Sequence, residues 1–547
     1  MKLLYSSLLL LLSAAAAPAH AQNTRTWTDV RALGRGTQFM THAVVDAAGN
    51  FYEAGYFNAS TVVDGVTLTS RGGGDGYLAK YTPAGTLAWV RQIGSTSEDG
   101  AVDVAVDAAG NVYVVGATRG TLDFGNGVVL PVNGLTQGFV ARYSPQGTAT
   151  WVVGCQVAGS ATISASSIGV DGAGQVYVTG LYRGTLTVGS ATVTAFDDSA
   201  YLLRLSSAGA VQWLQPAFTY VPAGFTATYA PQLAVGVGGE TYLCVASDVP
   251  LGVAGTTYPS IGRADGYAIR YSAQGTPQWV RQYGSTGNET MSRTAVDAAG
   301  NLYLCGSFAQ TMRFGATTIT TRGVSDSYLV KYSPTGQTLW SGSGGSSSND
   351  DTWGLTVDAD GNAYLTGAFY RTARFGSFVL SGSLNDYTAM VVAFDPSGTV
   401  RWAETPQGNG RTVGWHLGLD ANNGLHLLGR ANGLSTWSNE PLVVTSSTDA
   451  TFIARLSNVL VTRSATAARQ SLAFYPSPAH DQLHLPALPA LPAGTPVQLT
   501  DALGRVARTT VVSATSRISV QGLTPGLYTL RATDAKGRQV AGKVVVE

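Results

Sequence analysis

The phrase Val106-Asp107-Ala108-Ala109-Gly110-Asn111-Val112-Tyr113 constrains this chain more than any other feature, because it returns along most of the length. A hydrophobic run leads into Asp, a short Gly-Asn turn follows, and a run rich in β-branched and aromatic residues leaves it. That is a β-hairpin written in turn chemistry: the Asp carboxylate accepts from nearby backbone N–H groups, and Gly tolerates a positive φ. Further copies start at Asp46, Asp171, Asp297, Asp358 and Asp420, with a degraded copy in which Gly236 holds the Asp place. Successive copies stand 61 to 65 residues apart. Hydrophobic residues make up 44% of the chain and recur with the period of strands, so the repeats fold rather than remain disordered.

Each repeat contains four strands. In the second copy they fall at 102–106, 112–117 and 139–143, with a fourth centred on Trp151. A longer connection between the second and third passes through Phe124-Gly125, echoed at Phe314-Gly315 and Phe375-Gly376. Ser144-Pro145-Gln146-Gly147 suits a type I turn before the fourth strand. That last strand is marked by Trp89, Trp151, Trp213, Trp279, Trp340 and Trp402. The seventh copy ends at 452–456 with no Trp after it, while Trp27 stands alone before the first hairpin. The strand around Trp27 is therefore expected to complete the last repeat. Runs such as Val112-Tyr113-Val114-Val115 are apolar on both faces, as in sheets covered on both sides by neighbours. The expected fold is all-β: a seven-bladed β-propeller of four-stranded blades, closed by the N-terminal strand.

The pattern Val-Asp-Ala-Ala-Gly-Asn-x-Tyr, then Tyr-x-x-Lys-Tyr-x-Pro-x-Gly and Trp, resembles the bacterial β-propeller repeat called SBBP and is similar in layout to NHL-type blades. The resemblance covers about residues 26–456. The fourth copy departs from it with Val235-Gly236-Val237-Gly238-Gly239, and the seventh carries His426 in the Tyr place.

The first 21 residues read as a secretory signal peptide: Lys2, an apolar run, then Ala19-His20-Ala21 before Gln22. No later stretch is apolar for long enough to span a membrane, so the mature chain is expected to lack a transmembrane segment. Three cysteines do not make a disulfide framework; Cys244 and Cys305 fall at equivalent repeat positions and read as buried free thiols. After the propeller (22–458) comes a linker at 459–471, then a domain at 472–547 with alternating short strands and Gly-Pro turns, expected to be a small Ig-like β-sandwich.

This tail resembles the type A C-terminal sorting domain of the type IX secretion system of Bacteroidota. The matching residues are Tyr475, Pro476 and Pro478, then Gly504 and Arg505, then Gly526 and Tyr528, with Ser477 where the family usually has Asn. The resemblance implies a partner, the type IX machinery, and a route across the outer membrane. It further implies either release or attachment at the cell surface.

Chemistry is harder to find. No nucleophile elbow, phosphate loop or zinc spacing is present, and neither a metal nor another cofactor is expected. Asp358-Ala359-Asp360-Gly361-Asn362 resembles a calcium loop briefly, but lacks the closing acidic residue and aligns with the ordinary hairpin turns. With 12% charged residues and zero formal net charge, the chain offers no broad basic face for nucleic acid.

Variation on a constant scaffold points instead to the start of the first strand. Four residues before each turn Asp stand His42, Asp103, Ser167, Gln232, Arg293, Gly354 and His416, with Trp353 and Trp415 one residue earlier in the last two copies. In a propeller these residues crowd the channel mouth, beside loops at 95–100, 218–229, 285–289 and 346–351. No catalytic residue is assigned; an enzyme would want His42 or His416 with Asp103. The leading expectation is a monomeric, non-enzymatic binding or adhesion surface for glycans or surface proteins. A polysaccharide-acting lyase or hydrolase and a surface-layer component are the alternatives.

Overall fold

A computed structural model describes residues 25–33, 38–132, 136–158, 163–221, 230–438, 440–444, 449–457, 470–471, 478–484, 493–501, 506–533 and 539–547. Among these residues every regular element is a β-strand. The chain divides into two compact units, Met1–Val461 and Thr462–Glu547. The expected signal peptide lies outside the described residues.

The repeat of the sequence is a repeat of topology. In the first copy, Gln38–Val45, Phe51–Phe57, Asp75–Tyr81 and Leu87–Ile93 pair antiparallel in chain order. The same order recurs from Asp99–Val106, Ser167–Val170, Gln232–Val235, Arg293–Val296 and Asp351–Val357 onward. The hairpin phrase shapes each first turn. Asp107 Oδ1 accepts the Ala109 and Asn111 amides at 2.9 Å each. Its Oδ2 accepts Asn111 Nδ2 at 2.8 Å and the Tyr113 hydroxyl at 3.0 Å. One carboxylate thus clasps both strands, which is why Asp, Asn and Tyr travel together. In the seventh copy His426 Nε2 meets Asp420 Oδ2 at 3.0 Å, so the exchanged residue keeps the clasp.

The second strand is buried on both faces, Val112 through Val115 being fully covered. The cover comes from neighbouring repeats. Each first strand touches the first strand of the next repeat, and Arg411–Leu419 of the seventh touches Gln38–Val45 of the first. Consecutive repeats are also latched at their outer edges. Trp89, Trp151, Trp279 and Trp340 each donate the indole N–H to a carbonyl in the following repeat's turn, at Pro145, Ser207, Pro334 and Pro396. The glycine of that turn lies against the indole: a Cβ on Gly336 would stand 2.9 Å from Trp279 Cδ2.

The N-terminal strand Thr26–Leu33 pairs antiparallel with Ala450–Ser457, with Trp27 opposite Leu456 and Ala32 opposite Phe452. Trp27 does not take the place of the other tryptophans, however. Those of the first five repeats lie opposite the Lys or Arg of the third strand, and here Thr28 faces Arg455. Trp27 instead packs edge-on against Trp437, ring centroids 4.8 Å apart, and is 2% exposed.

The long connections are hairpins of their own, such as Ser60–Val63 with Val66–Thr69. Several cover the edge strand of the preceding repeat: Thr372–Phe375 pairs with Thr338–Gly345, and Leu251–Val253 with Val211–Tyr220. An edge strand left bare would be a template for unwanted pairing. The three cysteines are buried free thiols.

In the second unit, Gln539–Val546, Gly526–Thr533, Pro496–Thr500 and Val506–Val511 pair in that order, and Gln482–His484 pairs with Arg517–Ser519. Leu483, Ile518, Val497, Leu499, Leu530 and Val544 from both sheets share one apolar core. Gln470–Ser471 pair in parallel with Gln539–Val546. The ladder of this unit therefore takes in the last two residues of the segment expected to be linker.

Candidate functional site

The variable polar residues converge. In the third, fourth and fifth repeats they open the first strands, which begin at Ser167, Gln232 and Arg293. In the first, second and seventh a β-bulge precedes them, the register slipping between Met40 and His42, Ala101 and Asp103, and Gly414 and His416. A bulge re-aims the side chain that follows it.

Several of their polar groups are bonded within the set, while Arg293 Nε is buried without a hydrogen-bond partner. His42 Nδ1 is paired with Asp103 Oδ1. Asp103 Oδ2 accepts Ser167 Oγ at 2.8 Å and the Ile168 amide at 3.0 Å. Ser167 Oγ lies 3.2 Å from the Leu233 amide that donates to it. Arg293 Nη1 donates to Gln232 Oε1 at 3.1 Å. The His42 and His416 rings meet edge to face, centroids 4.9 Å apart. Gly354 leaves room in this crowd, since a Cβ there would come 3.0 Å from the Trp415 carbonyl oxygen.

Electrostatics follow from burial. Burial alone would raise the Asp103 carboxyl, but His42, Arg293 and the Ile168 amide hold it below its ordinary value. Burial lowers the Arg293 guanidinium, against the pull of Asp103. Burial, then the charges of Arg293 and His42, push His416 well below the usual imidazole range. Asp103 and His416 are each 5% exposed. The group is a mutually bonded polar plug, with the Asp103 oxygens occupied by partners inside it. Among the described residues no group of three or more His, Cys, Asp or Glu is disposed to hold a metal.

Trp353 and Trp415 do not join this network. Both are the bulged residues themselves, lying between Thr352 and Gly354 and between Gly414 and His416. Trp415 packs against the core of the first repeat, with the Arg430 guanidinium 5.1 Å from its ring. Trp353 stands beside Tyr387, centroids 6.5 Å apart. Tyr387 and its neighbour Tyr370 were not legible as site candidates, because neither occupies a repeated position with a polar pattern.

Among the described residues an open cleft of about 730 Å³ lies elsewhere, lined by Lys80, Trp89, Arg91, Pro145 and Gln146 among others. None of the polar plug borders it. The acidic calcium-like turn at Asp358 behaves as the other turns do, its carboxylate bonded to Asn362 and Tyr364. In the second unit, Gly526 opens a strand and the Tyr528 hydroxyl donates to the Thr524 carbonyl at 2.7 Å, tying down the preceding turn. Pro478 is exposed. Tyr475, Pro476, Gly504 and Arg505 lie outside the described residues, as do 222–229 of one expected mouth loop.

Residues 473–547 match the family described as the secretion system C-terminal sorting domain. That domain marks the protein for the type IX secretion system, hence for secretion or cell-surface attachment, and implies contact with its machinery. No helix among the described residues is long and apolar enough to cross a membrane. Over 450 residues the chain is 23% identical to an uncharacterized WD repeat-containing protein of Acanthamoeba polyphaga mimivirus. That match covers 67% of this chain and 32% of the relative, so the chain spans about a third of the relative's length. Similar solved structures include an ulvan lyase of a polysaccharide lyase family, at TM-score 0.39 and 11% identity, covering 77% of this chain and 98% of that one. A gluconolactonase from Xanthomonas campestris is similar at TM-score 0.31 and 12% identity, covering 80% and 93%.

Proposed function

We propose that this chain is an exported, non-catalytic binding or adhesion protein built on a seven-bladed β-propeller of SBBP type. A cleaved signal peptide delivers it to the periplasm, and the Ig-like C-terminal sandwich carries it over the outer membrane by the type IX route. The observation that supports a non-catalytic reading is the plug: His42, Asp103 and Ser167 are bonded to one another, Arg293 is bonded to Gln232, and His416 packs edge-on against His42. A general acid–base pair must reach a substrate proton. Here the carboxylate of the only such pair in the set is 5% exposed and already accepts from Ser167 and Ile168.

Two experiments test the reading. Incubation of the purified chain with a polysaccharide panel is expected to give saturable retention without products. Release of unsaturated or reducing ends, abolished by His42→Ala or His416→Ala, would overturn it in favour of an enzyme. Removal of residues 472–547 is expected to strand the protein in the periplasm, and normal surface delivery of that truncation would refute the sorting role.

A further inference from the structure

One cluster of side chains is used by neither the plug nor the cores. Trp353 is the bulged residue of a first strand, Tyr370 follows the strand Ala363–Phe369, and Tyr387 precedes the strand Thr388–Phe394. The Tyr370 and Tyr387 rings lie 4.3 Å apart at 41°, and Trp353 abuts Tyr387 edge-on. All three are partly exposed, and none belongs to the apolar clusters of the described residues. Leu384, three positions before Tyr387, is 71% exposed. Aromatic rings gathered outside a core keep solvent-facing apolar area that folding has not used.

Carboxylates outnumber the other charged groups beside the rings. The Tyr387 hydroxyl donates to Asp351 Oδ2 at 3.3 Å, and Ser307 Oγ lies 3.4 Å from Asp351 Oδ1. Both are long bonds, which leaves acceptor capacity on a carboxylate that has about four lone-pair sites. Arg411 stands with its guanidinium 6.0 Å from the Tyr387 ring centroid, paired with Asp386 at 3.5 Å and with Asp449. The cluster thus sets three carboxylates against one guanidinium.

We infer that Trp353, Tyr370 and Tyr387, with Asp351, Asp386 and Arg411, form a binding site for a neutral saccharide. The apolar C–H face of a pyranose ring stacks on an aromatic face, while its hydroxyls donate to carboxylates and accept from a guanidinium. The surplus of carboxylate disfavours uronates and sulfated sugars, since like charges brought together oppose association. This inference rests on the binding-surface reading above and moves the contact from the filled plug to the rim beside it.

The test is calorimetric titration of the full chain with neutral hexasaccharides (cello-, xylo-, laminari- and manno-oligomers) and with hexagalacturonate. At least one neutral oligomer is expected to bind saturably, with hexagalacturonate weaker. Trp353→Ala and Tyr387→Ala should each weaken it by about tenfold or more, while the melting temperature controls for folding. Asp386→Lys, at a side chain 42% exposed and so tolerant of change, should shift preference toward hexagalacturonate. Failure of every neutral oligomer to bind, or preference of the wild type for the acidic one, overturns the inference. Undiminished neutral binding by both alanine variants removes the site and leaves the binding-surface reading standing; oligomer cleavage would instead remove that reading.

Discussion

Ser167 Oγ donates to Asp103 Oδ2 over 2.8 Å, joining the opening of the third repeat's first strand to the bulge of the second's. The same carboxylate faces His42 of the first repeat, so one buried group bonds across three successive repeats. A buried charge is tolerated only when it is paired and hydrogen-bonded. The arrangement makes Asp103 a keystone of the plug, and its partners set its cost of removal.

Asp103→Ala should leave His42 and the Ile168 amide facing empty space. Leaving a buried donor without its acceptor costs about 1–3 kcal/mol for each group. Chemical denaturation of the variant should show a loss of that order, and a loss below about 1 kcal/mol would mean that the plug is not a stabilising network.

Tyr364→Phe keeps the ring and deletes only the hydroxyl that donates to Asp358 at 3.0 Å. A hydrogen bond to a charged acceptor contributes about 1.5–3 kcal/mol. A destabilisation of that size is expected, measured by denaturant midpoint at constant slope.

Gly336→Ala challenges the latch between the fourth and fifth repeats. Gly336 has φ +78°, and its new Cβ would stand 2.9 Å from Trp279 Cδ2. A left-handed non-glycine residue alone costs about 1–3 kcal/mol, before the clash is added. The thermal midpoint should fall, and Trp279 fluorescence should shift as the indole moves.

Glu53 supplies a pH test. It is 1% exposed and accepts the Tyr77 hydroxyl; burial raises its carboxyl from 4.5 to about 7, against the lowering pull of Tyr77 and Arg430. Between those values the folded protein keeps a proton that the unfolded chain has lost. Stability from this group is therefore full below pH 4.5 and is lost as pH rises toward about 7. A rise of that size is equivalent to about 3 kcal/mol. Glu53→Gln should flatten that part of the stability–pH curve, and an unchanged slope would refute the assignment.

Much of the architecture was legible because it is local. Asp107, Gly110 and Asn111 announce a turn within five residues, and the turn is there with the Asp carboxylate on the Ala109 and Asn111 amides. The polar set from His42 to His416 was legible as a set, since one position in an otherwise constant repeat varied. What it does was not: a row of polar residues reads alike whether it lines a cavity or fills one. The connection through Phe124-Gly125 carries a hairpin of its own, Leu122–Asp123 with Val129–Leu130, whose strands are too short to show a period in the sequence. Trp27 carried the right strand to the right place but one residue out of register, facing Leu456 while Thr28 takes the position opposite Arg455.

The sequence by itself determined the four strands of each repeat, their turns, the pairing of the two ends and the sorting tail, since each depends on residues near one another or on a motif read whole. Only the tertiary structure decided that Asp103 spends its charge inward and that Trp353, Tyr370 and Tyr387 stand together. Those outcomes depend on where first strands from distant repeats come to rest and on which bulge turns a side chain. Packing between segments that are dozens of residues apart carries no periodic signature along the chain.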